Sequence, residues 1–201
     1  MAAPTLSAAL EAFDAANARD PNAVVVDGEP LPSELVYGRR MTERLAAYAP
    51  DASPALQLAA RAQHLERWAI PRADYPLDRP GYHAWRNALK RYHARRAGEI
   101  LRELGFGESL IERVAFLLEK RKLKRDAETQ TLEDVICMVF LEHYAVAFAA
   151  KHDEAQVVSI LAKTAAKMSE RGRAAAATLP LAAGVRALLE RALAPEPDGG
   201  G

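Results

Sequence analysis

Apolar residues recur at intervals of three and four along most of the chain, which is the spacing of one face of an α-helix. Leu6, Leu10 and Phe13 form one such stripe, and Thr5 before them is a candidate helix cap. The same pattern predicts helices over residues 5–20, 33–49, 53–67, 82–105, 109–122, 135–149, 153–168 and 181–193. No strand pattern alternates with these helices as a parallel sheet would require, so we predict a compact, all-α, multi-helix fold.

One segment departs from this pattern. Between Ala23 and Leu31, three consecutive valines run into Asp27-Gly28, a dipeptide that suits a tight turn, so we predict a small N-terminal β-hairpin. A single helical domain is expected over residues 1–194, because 201 residues with 50% hydrophobic content suffice for one core. The tail at 195–201 is expected to be disordered, given its proline and glycine content.

Polar residues mark several predicted helix ends. Ser33 is a candidate cap for the second helix. Thr131 stands three residues before Asp134, a variant of the capping box, which places Glu133 and Asp134 at the start of a strongly apolar helix. Three prolines interrupt the helical pattern at residues 70–81, where we predict an ordered loop.

The chain carries 27 basic and 27 acidic residues, so its net charge implies no general attraction to nucleic acid or membrane. No window approaches the ~20 apolar residues that cross a bilayer, and the N-terminus lacks a secretory pattern. We therefore expect a cytoplasmic protein without a membrane partner. Cys137, the single cysteine, is expected to be a small core residue. The sequence names neither a cofactor nor an oligomeric state.

Charge is segregated in one region. Between Ala60 and Arg102, ten basic residues stand against four acidic ones, interleaved with both tryptophans, three tyrosines and three histidines. Arginine offers a planar fork that matches phosphate or carboxylate, and aromatic faces can stack on a base. This mixture predicts a pocket for an anionic, phosphorylated or nucleotide-like ligand.

Candidate roles follow from residue type and spacing. Five cations are predicted to bind the ligand's charge: Arg67, Arg72, Arg79, Arg86 and Lys90. Three aromatic side chains are predicted to line the pocket: Tyr75, Tyr82 and Trp85. Two histidines are the candidates for any proton transfer: His64 and His93. Tyr82, Arg86, Lys90 and His93 recur at helical intervals and are expected on one helix face.

Structural explanations stand beside these roles. The alternative for the arginines is a solvated face, with Trp68, Trp85 and Tyr92 in the core, and the alternative for His64 is a structural histidine. We predict that a second basic run, at 120–125, is a solvated loop, and the alternative is that it contacts phosphates. We predict no metal site.

Three stretches carry a family resemblance: AARAQHLERWAIPRADYPLDRPGYHAWRNALKRYH, KRDAETQTLEDVICMVFLEHY and KMSERGR. Together they resemble an uncharacterised bacterial and fungal family, the domain of unknown function 4202, from about Ala8 to Leu193. The resemblance implies no established activity.

Members of that family are often labelled glutamyl-tRNA synthetase, and Lys167-Met168-Ser169-Glu170-Arg171 is similar to the lysine loop of class I synthetases. The similarity breaks at the fourth and fifth positions, and the strands of a nucleotide-binding sheet are missing. We instead expect Met168 in the core, and Lys167 and Arg171 on one basic helix surface.

The order of helices is also similar to that of the HD-type metal-dependent phosphohydrolases. Under that resemblance His64 occupies the His-Asp stretch, Leu65 stands where the aspartate belongs, and Tyr37 falls near the first histidine. Only His64 survives as a ligand, so the usual metal site cannot form.

Three hypotheses remain open at this point. The first is a binding or enzymatic pocket for a small anionic ligand. The second is a tRNA-associated or other nucleic-acid-binding module that uses the same residues together with the run at 120–125. The third is a degenerate HD-type phosphohydrolase.

Overall fold

The computed structural model describes residues 3–193 and confirms the all-α fold. The helices of the first half are α1 (Leu6–Asn17), α2 (Ser33–Tyr48), α3 (Pro54–Arg61), α4 (Arg79–Glu103) and α5 (Glu108–Leu118). Those of the second half are α6 (Ala127–His143), α7 (Ala145–Ala149), α8 (Glu154–Lys167), α9 (Glu170–Ala177) and α10 (Ala183–Leu193). Short 3₁₀ helices form at Arg67–Ala69 and Arg72–Asp74. The predicted tail at 195–201 lies outside the described residues.

The chain divides into two units, and the boundary between Leu132 and Glu133 falls inside α6. In the first unit, α4 packs against α1 and α5, while α3 packs against α1, α2 and α5. In the second unit, α7, α8 and α10 pack against one another. The expectation of one domain over residues 1–194 stays a prediction. Within the described part of the chain, no helix has both the length and the apolar composition needed to cross a bilayer.

The predicted hairpin is confirmed. Strands β1 (Ala23–Val26) and β2 (Glu29–Pro32) pair antiparallel, with Val26 opposite Glu29. The two residues between them, Asp27 and Gly28, have φ values of 51° and 86°, both in the left-handed region that a two-residue hairpin turn requires.

Helix α2 begins at Ser33, but the predicted serine cap is wrong. Pro32 occupies the cap position without a side-chain hydrogen bond. The carboxylate of Asp20, which lies just after α1, instead accepts the backbone N–H of Glu34 at 2.9 Å. A residue distant in sequence therefore caps this helix.

The capping prediction at Thr131 is also wrong. Helix α6 begins at Ala127, four residues before Thr131, because Asp126 accepts both the N–H and the hydroxyl of Thr129. Glu133 and Asp134 consequently lie within the helix and are buried, at 4% and 1% exposure. The predicted helix over 135–149 is interrupted at Tyr144, which separates α6 from α7.

The Lys167–Arg171 stretch joins two helices. Lys167 ends α8, and Ser169 caps α9 by accepting the N–H of Gly172 at 2.9 Å. The Ser169 hydroxyl donates to the carboxylate of Asp134, which also accepts the Ser169 N–H at 2.8 Å. Met168 is buried as predicted, but Lys167 and Arg171 belong to different helices, so the predicted shared helix surface is wrong. Cys137 is buried, as expected.

Candidate functional site

The turn that carries His64 is fixed by Glu66. Helix α3 was expected to continue to residue 67 but ends at Arg61, and Glu66 adopts a left-handed backbone with φ of 49°. The Glu66 N–H donates to Asn17 Oδ1 at 2.8 Å. Its carboxylate accepts from Arg19, Arg96 and the Tyr92 hydroxyl at 2.5 to 3.0 Å. Bonds from α1 and α4 thus replace the next turn of α3.

His64 is held on three sides. Its ring stacks on Tyr37 with centroids 3.8 Å apart and planes 10° from parallel. Nδ1 lies 3.0 Å from Glu34 Oε2, and Nε2 lies 3.1 Å from Arg67 Nη1. A guanidinium can only donate, so the Nε2 lone pair accepts from Arg67, and Nδ1 carries the proton and donates to Glu34. Burial, reinforced by the charge of Arg67, lowers the pKa of His64 well below its ordinary value.

Glu34 is the acidic member of the site, and sequence analysis missed it. Burial raises the pKa of Glu34 to about 7, although the charge of Arg67 opposes the rise, and Asp20 adds to it. The residue precedes His64 by thirty positions and opens a helix, where an acid is ordinarily explained by the helix dipole. No local signal in the sequence connects it with His64.

Trp85 forms the platform under the arginines. Its indole is buried and donates to the carbonyl of Ile70 at 2.9 Å. The Arg67 guanidinium carbon lies 4.8 Å from the Trp85 ring centroid, and that of Arg72 lies 5.9 Å away. Arg72 also donates to the carbonyl of Tyr75 at 2.9 Å. Both arginines therefore hold cation–π positions on a ring that is also part of the core.

The charges of two further cations, Arg86 and Lys120, act on His64. Each lies close enough that its charge lowers the pKa of His64, together with that of Arg67. Arg86 is half-buried on α4 and makes no ion pair within residues 3–193. The charge of Lys120, a residue of the second basic run, makes the smallest of these contributions to the lowered pKa of His64.

His93 ties α4 to the His64 turn. The ring is 3% exposed, its Nδ1 donates to the carbonyl of Leu65 at 2.8 Å, and its centroid lies 6.2 Å from that of His64. Burial lowers the pKa of His93 to about 3, the bond to Leu65 opposes this, and the charges of Arg67 and Arg86 add to it. His93 is therefore neutral at physiological pH.

Three of the remaining predicted residues lie along α4. Tyr82 is 46% exposed, with its ring 5.9 Å from that of Trp85. Lys90 is half-buried near the middle of α4. Arg79 is exposed at the first position of α4, and its side chain makes no hydrogen bond or ion pair to any described residue. The predicted residues that the structure brings together are His64, Arg67, Arg72, Tyr82, Trp85, Arg86 and His93.

Among residues 3–193, no three His, Cys, Asp or Glu side chains are grouped so that they could hold a metal ion. Tyr37 and His64, which the HD-type resemblance places near metal-ligand positions, stack on each other instead. The resemblance of helix order stays a prediction.

Comparison with known proteins gives one match. A family model described as a domain of unknown function (DUF4202) matches residues 7–189. Comparisons with curated proteins and with solved structures gave no match.

Proposed function

Because the chain belongs to the family of domain of unknown function 4202, whose description states no activity, we propose a function from the site alone. The protein binds a small anionic ligand, phosphorylated or nucleotide-like, beside His64. Arg67, Arg86 and Lys120 bind its charge. The binding takes place in the cytoplasm, as expected from the sequence.

One observation carries the proposal. Arg67 and Arg72 lie over the Trp85 ring and Arg67 contacts His64, while the one carboxylate bonded to this histidine, Glu34, has a pKa of about 7 and is only partly ionised at neutral pH. Burial also lowers the pKa of Arg67, although Glu34, with Oε1 3.7 Å from Arg67 Nε, opposes the decrease. A phosphate group would supply both the negative charge and the acceptor oxygens that a guanidinium fork matches. Trp85 and Tyr82 offer aromatic faces beside it.

The same geometry suggests how a ligand makes His64 reactive. In the unliganded site, Arg67 occupies the lone pair of Nε2. A phosphate oxygen is a stronger acceptor for a guanidinium than an imidazole nitrogen. Binding is therefore expected to draw Arg67 away and to free Nε2, while Glu34 still holds Nδ1. A histidine oriented by a carboxylate is a general base. His64, rather than the buried His93, is the proton acceptor in this proposal.

Titration calorimetry with inorganic phosphate and adenosine monophosphate tests the proposal. Arg86→Ala is expected to weaken binding about tenfold or more, since it removes a half-buried cation that has no ion-pair partner within the described residues. Arg91→Ala is the matched control, because Arg91 is an exposed arginine on the same helix. The proposal fails if neither anion binds, or if the two variants lose affinity equally.

The exposed side chains of Lys122 and Arg125, which form no ion pair within residues 3–193, favour a second candidate, a nucleic-acid-binding module that uses the basic run at 120–125. A surface that neutralises several phosphates loses affinity steeply between roughly 50 and 200 mM salt. A single-stranded RNA oligonucleotide titrated at both salt concentrations therefore separates this function from small-ligand binding.

A further inference from the structure

The second unit of the chain contains a cavity that the proposed function does not use. Leu141 of α6, Met168 between α8 and α9, and Leu189 of α10 are among the apolar residues that line it. Its volume is about 160 Å³. An engineered protein cavity of about 150 Å³ with an apolar lining takes up benzene. The cavity therefore has room for one ring or for a branched chain of similar size.

The wall that α9 contributes to this cavity is fixed to α6. The buried carboxylate of Asp134 accepts the N–H of Ser169 at 2.8 Å and its hydroxyl at 2.5 Å. Gly172 lies against the same carboxylate, so closely that a Cβ would be 2.5 Å from the carboxylate carbon. Ala176, one turn further along α9, is buried and lines the cavity. The cavity is therefore held open by the fold itself and needs no ligand to form it.

Arg173 of α9 offers a carboxylate fork at this cavity. Its Nη1 donates to the carbonyl of Met168, a lining residue, at 2.9 Å. Its Nε and Nη2 make no hydrogen bond to any residue among 3–193. These two nitrogens form the edge of a guanidinium along which a carboxylate accepts two parallel hydrogen bonds. Because Arg173 is exposed, this edge lies at the mouth of the cavity.

Arg186 of α10 adds a second positive charge. Its Nη1 and Nη2 donate to the carbonyls of Ala177 and Leu179, at 3.1 and 2.7 Å, so it also caps the end of α9. Neither this arginine nor Arg173 forms an ion pair within the described part of the chain. The one acidic residue that lines the cavity, Glu190, is exposed. Two cations against one carboxylate favour an anionic occupant over a cationic one.

We propose that this cavity binds a small carboxylic acid whose apolar part is one ring or a compact branched chain. The apolar part lies against Leu141 and Leu189, where its removal from water favours binding. The carboxylate binds the Nε and Nη2 edge of Arg173 at the mouth. Mostly apolar walls with a few polar groups that fix orientation are typical of small-molecule sites. This site is separate from the one proposed at His64 and does not depend on it.

The test is calorimetry on the full chain, at constant ionic strength, with phenylacetate, 2-phenylethanol and acetate. Phenylacetate is expected to bind about tenfold or more tightly than either other probe, because 2-phenylethanol lacks the charge and acetate lacks the ring. Arg173→Gln is expected to weaken phenylacetate binding about tenfold and to leave 2-phenylethanol unaffected. Arg191→Gln is the control, because Arg191 is exposed in the same unit, pairs with Glu154 and does not line the cavity. Glu190→Gln removes the opposing carboxylate and is expected to strengthen phenylacetate binding.

The proposal is overturned if phenylacetate does not bind, if 2-phenylethanol binds equally well, or if the Arg173 and Arg191 variants lose affinity equally. Arg86→Ala separates this site from the His64 site. It is expected to leave phenylacetate affinity unchanged. If Arg86→Ala abolishes phenylacetate binding and Arg173→Gln does not, the carboxylate binds beside His64. In that case the cavity proposal is refuted, while the proposed function is supported.

Discussion

Replacing Glu34 with glutamine is expected to change how the stability of the protein depends on pH. Burial raises the pKa of Glu34 from 4.5 to about 7, and the side chain is only 16% exposed. Between these two values the folded protein keeps a proton that the unfolded chain releases. The free energy of unfolding therefore decreases as pH rises through this window. At about 1.4 kcal/mol per pH unit, the full decrease is about 3 kcal/mol.

Glutamine cannot ionise, so Glu34→Gln lacks this decrease. Relative to the wild type, the variant is expected to gain about 2 to 3 kcal/mol in free energy of unfolding between pH 5 and pH 8.5. Urea unfolding followed by circular dichroism at both pH values measures the difference. Loss of the hydrogen bond to His64 affects the variant at both pH values, so the comparison largely cancels it.

Glu112→Gln, at an exposed position of α5, controls for the loss of a carboxylate. The reasoning is refuted if the difference between Glu34→Gln and wild type changes by less than about 1 kcal/mol across this range. That result would mean that the Glu34 carboxylate is well solvated in the fold.

Three further predictions concern stability, each measured by denaturant unfolding. Gly172→Ala places a Cβ 2.5 Å from the Asp134 carboxylate carbon and is expected to lower the free energy of unfolding by about 2 kcal/mol. Gly184→Ala is the control, because its Cβ meets no atom within 4 Å. Equal losses of stability in the two variants would contradict this prediction. Asn17→Ala leaves a buried backbone N–H in the His64 turn without its acceptor, at a cost of about 1 to 3 kcal/mol, and an unchanged stability would show that the turn does not need it. Because the pKa of His93 is lowered to about 3, the folded protein resists a proton that the unfolded chain takes up below pH 6.5. The wild type should therefore lose about 3 kcal/mol more than His93→Gln between pH 6.5 and pH 4, and parallel losses would refute this.

Local patterns predicted the helices well, because helical spacing and capping residues act within a few positions of the chain. The predicted cap at Thr5 is present. The failures have tertiary causes. Helix α3 ends early because Asn17, far away in sequence, takes the N–H of Glu66.

The candidate site could be predicted only in part, for the same reason. Arg67, Trp85 and Arg86 lie within one basic and aromatic stretch, so composition was enough to find them. Glu34 reaches His64 through the packing of α2 against α3. The sequence alone does not reveal that this histidine has a carboxylate on one of its nitrogens.

The stacking of Arg67 on Trp85 gives the molecule an optical property. Indole emission depends on the charges beside the ring, so its intensity and wavelength are expected to change when the guanidinium leaves. The chain has one other tryptophan, Trp68, and Trp68→Phe would make Trp85 the sole emitter. If the proposed anion binds and draws Arg67 off the ring, Trp85 fluorescence is expected to report that binding in solution without an attached dye.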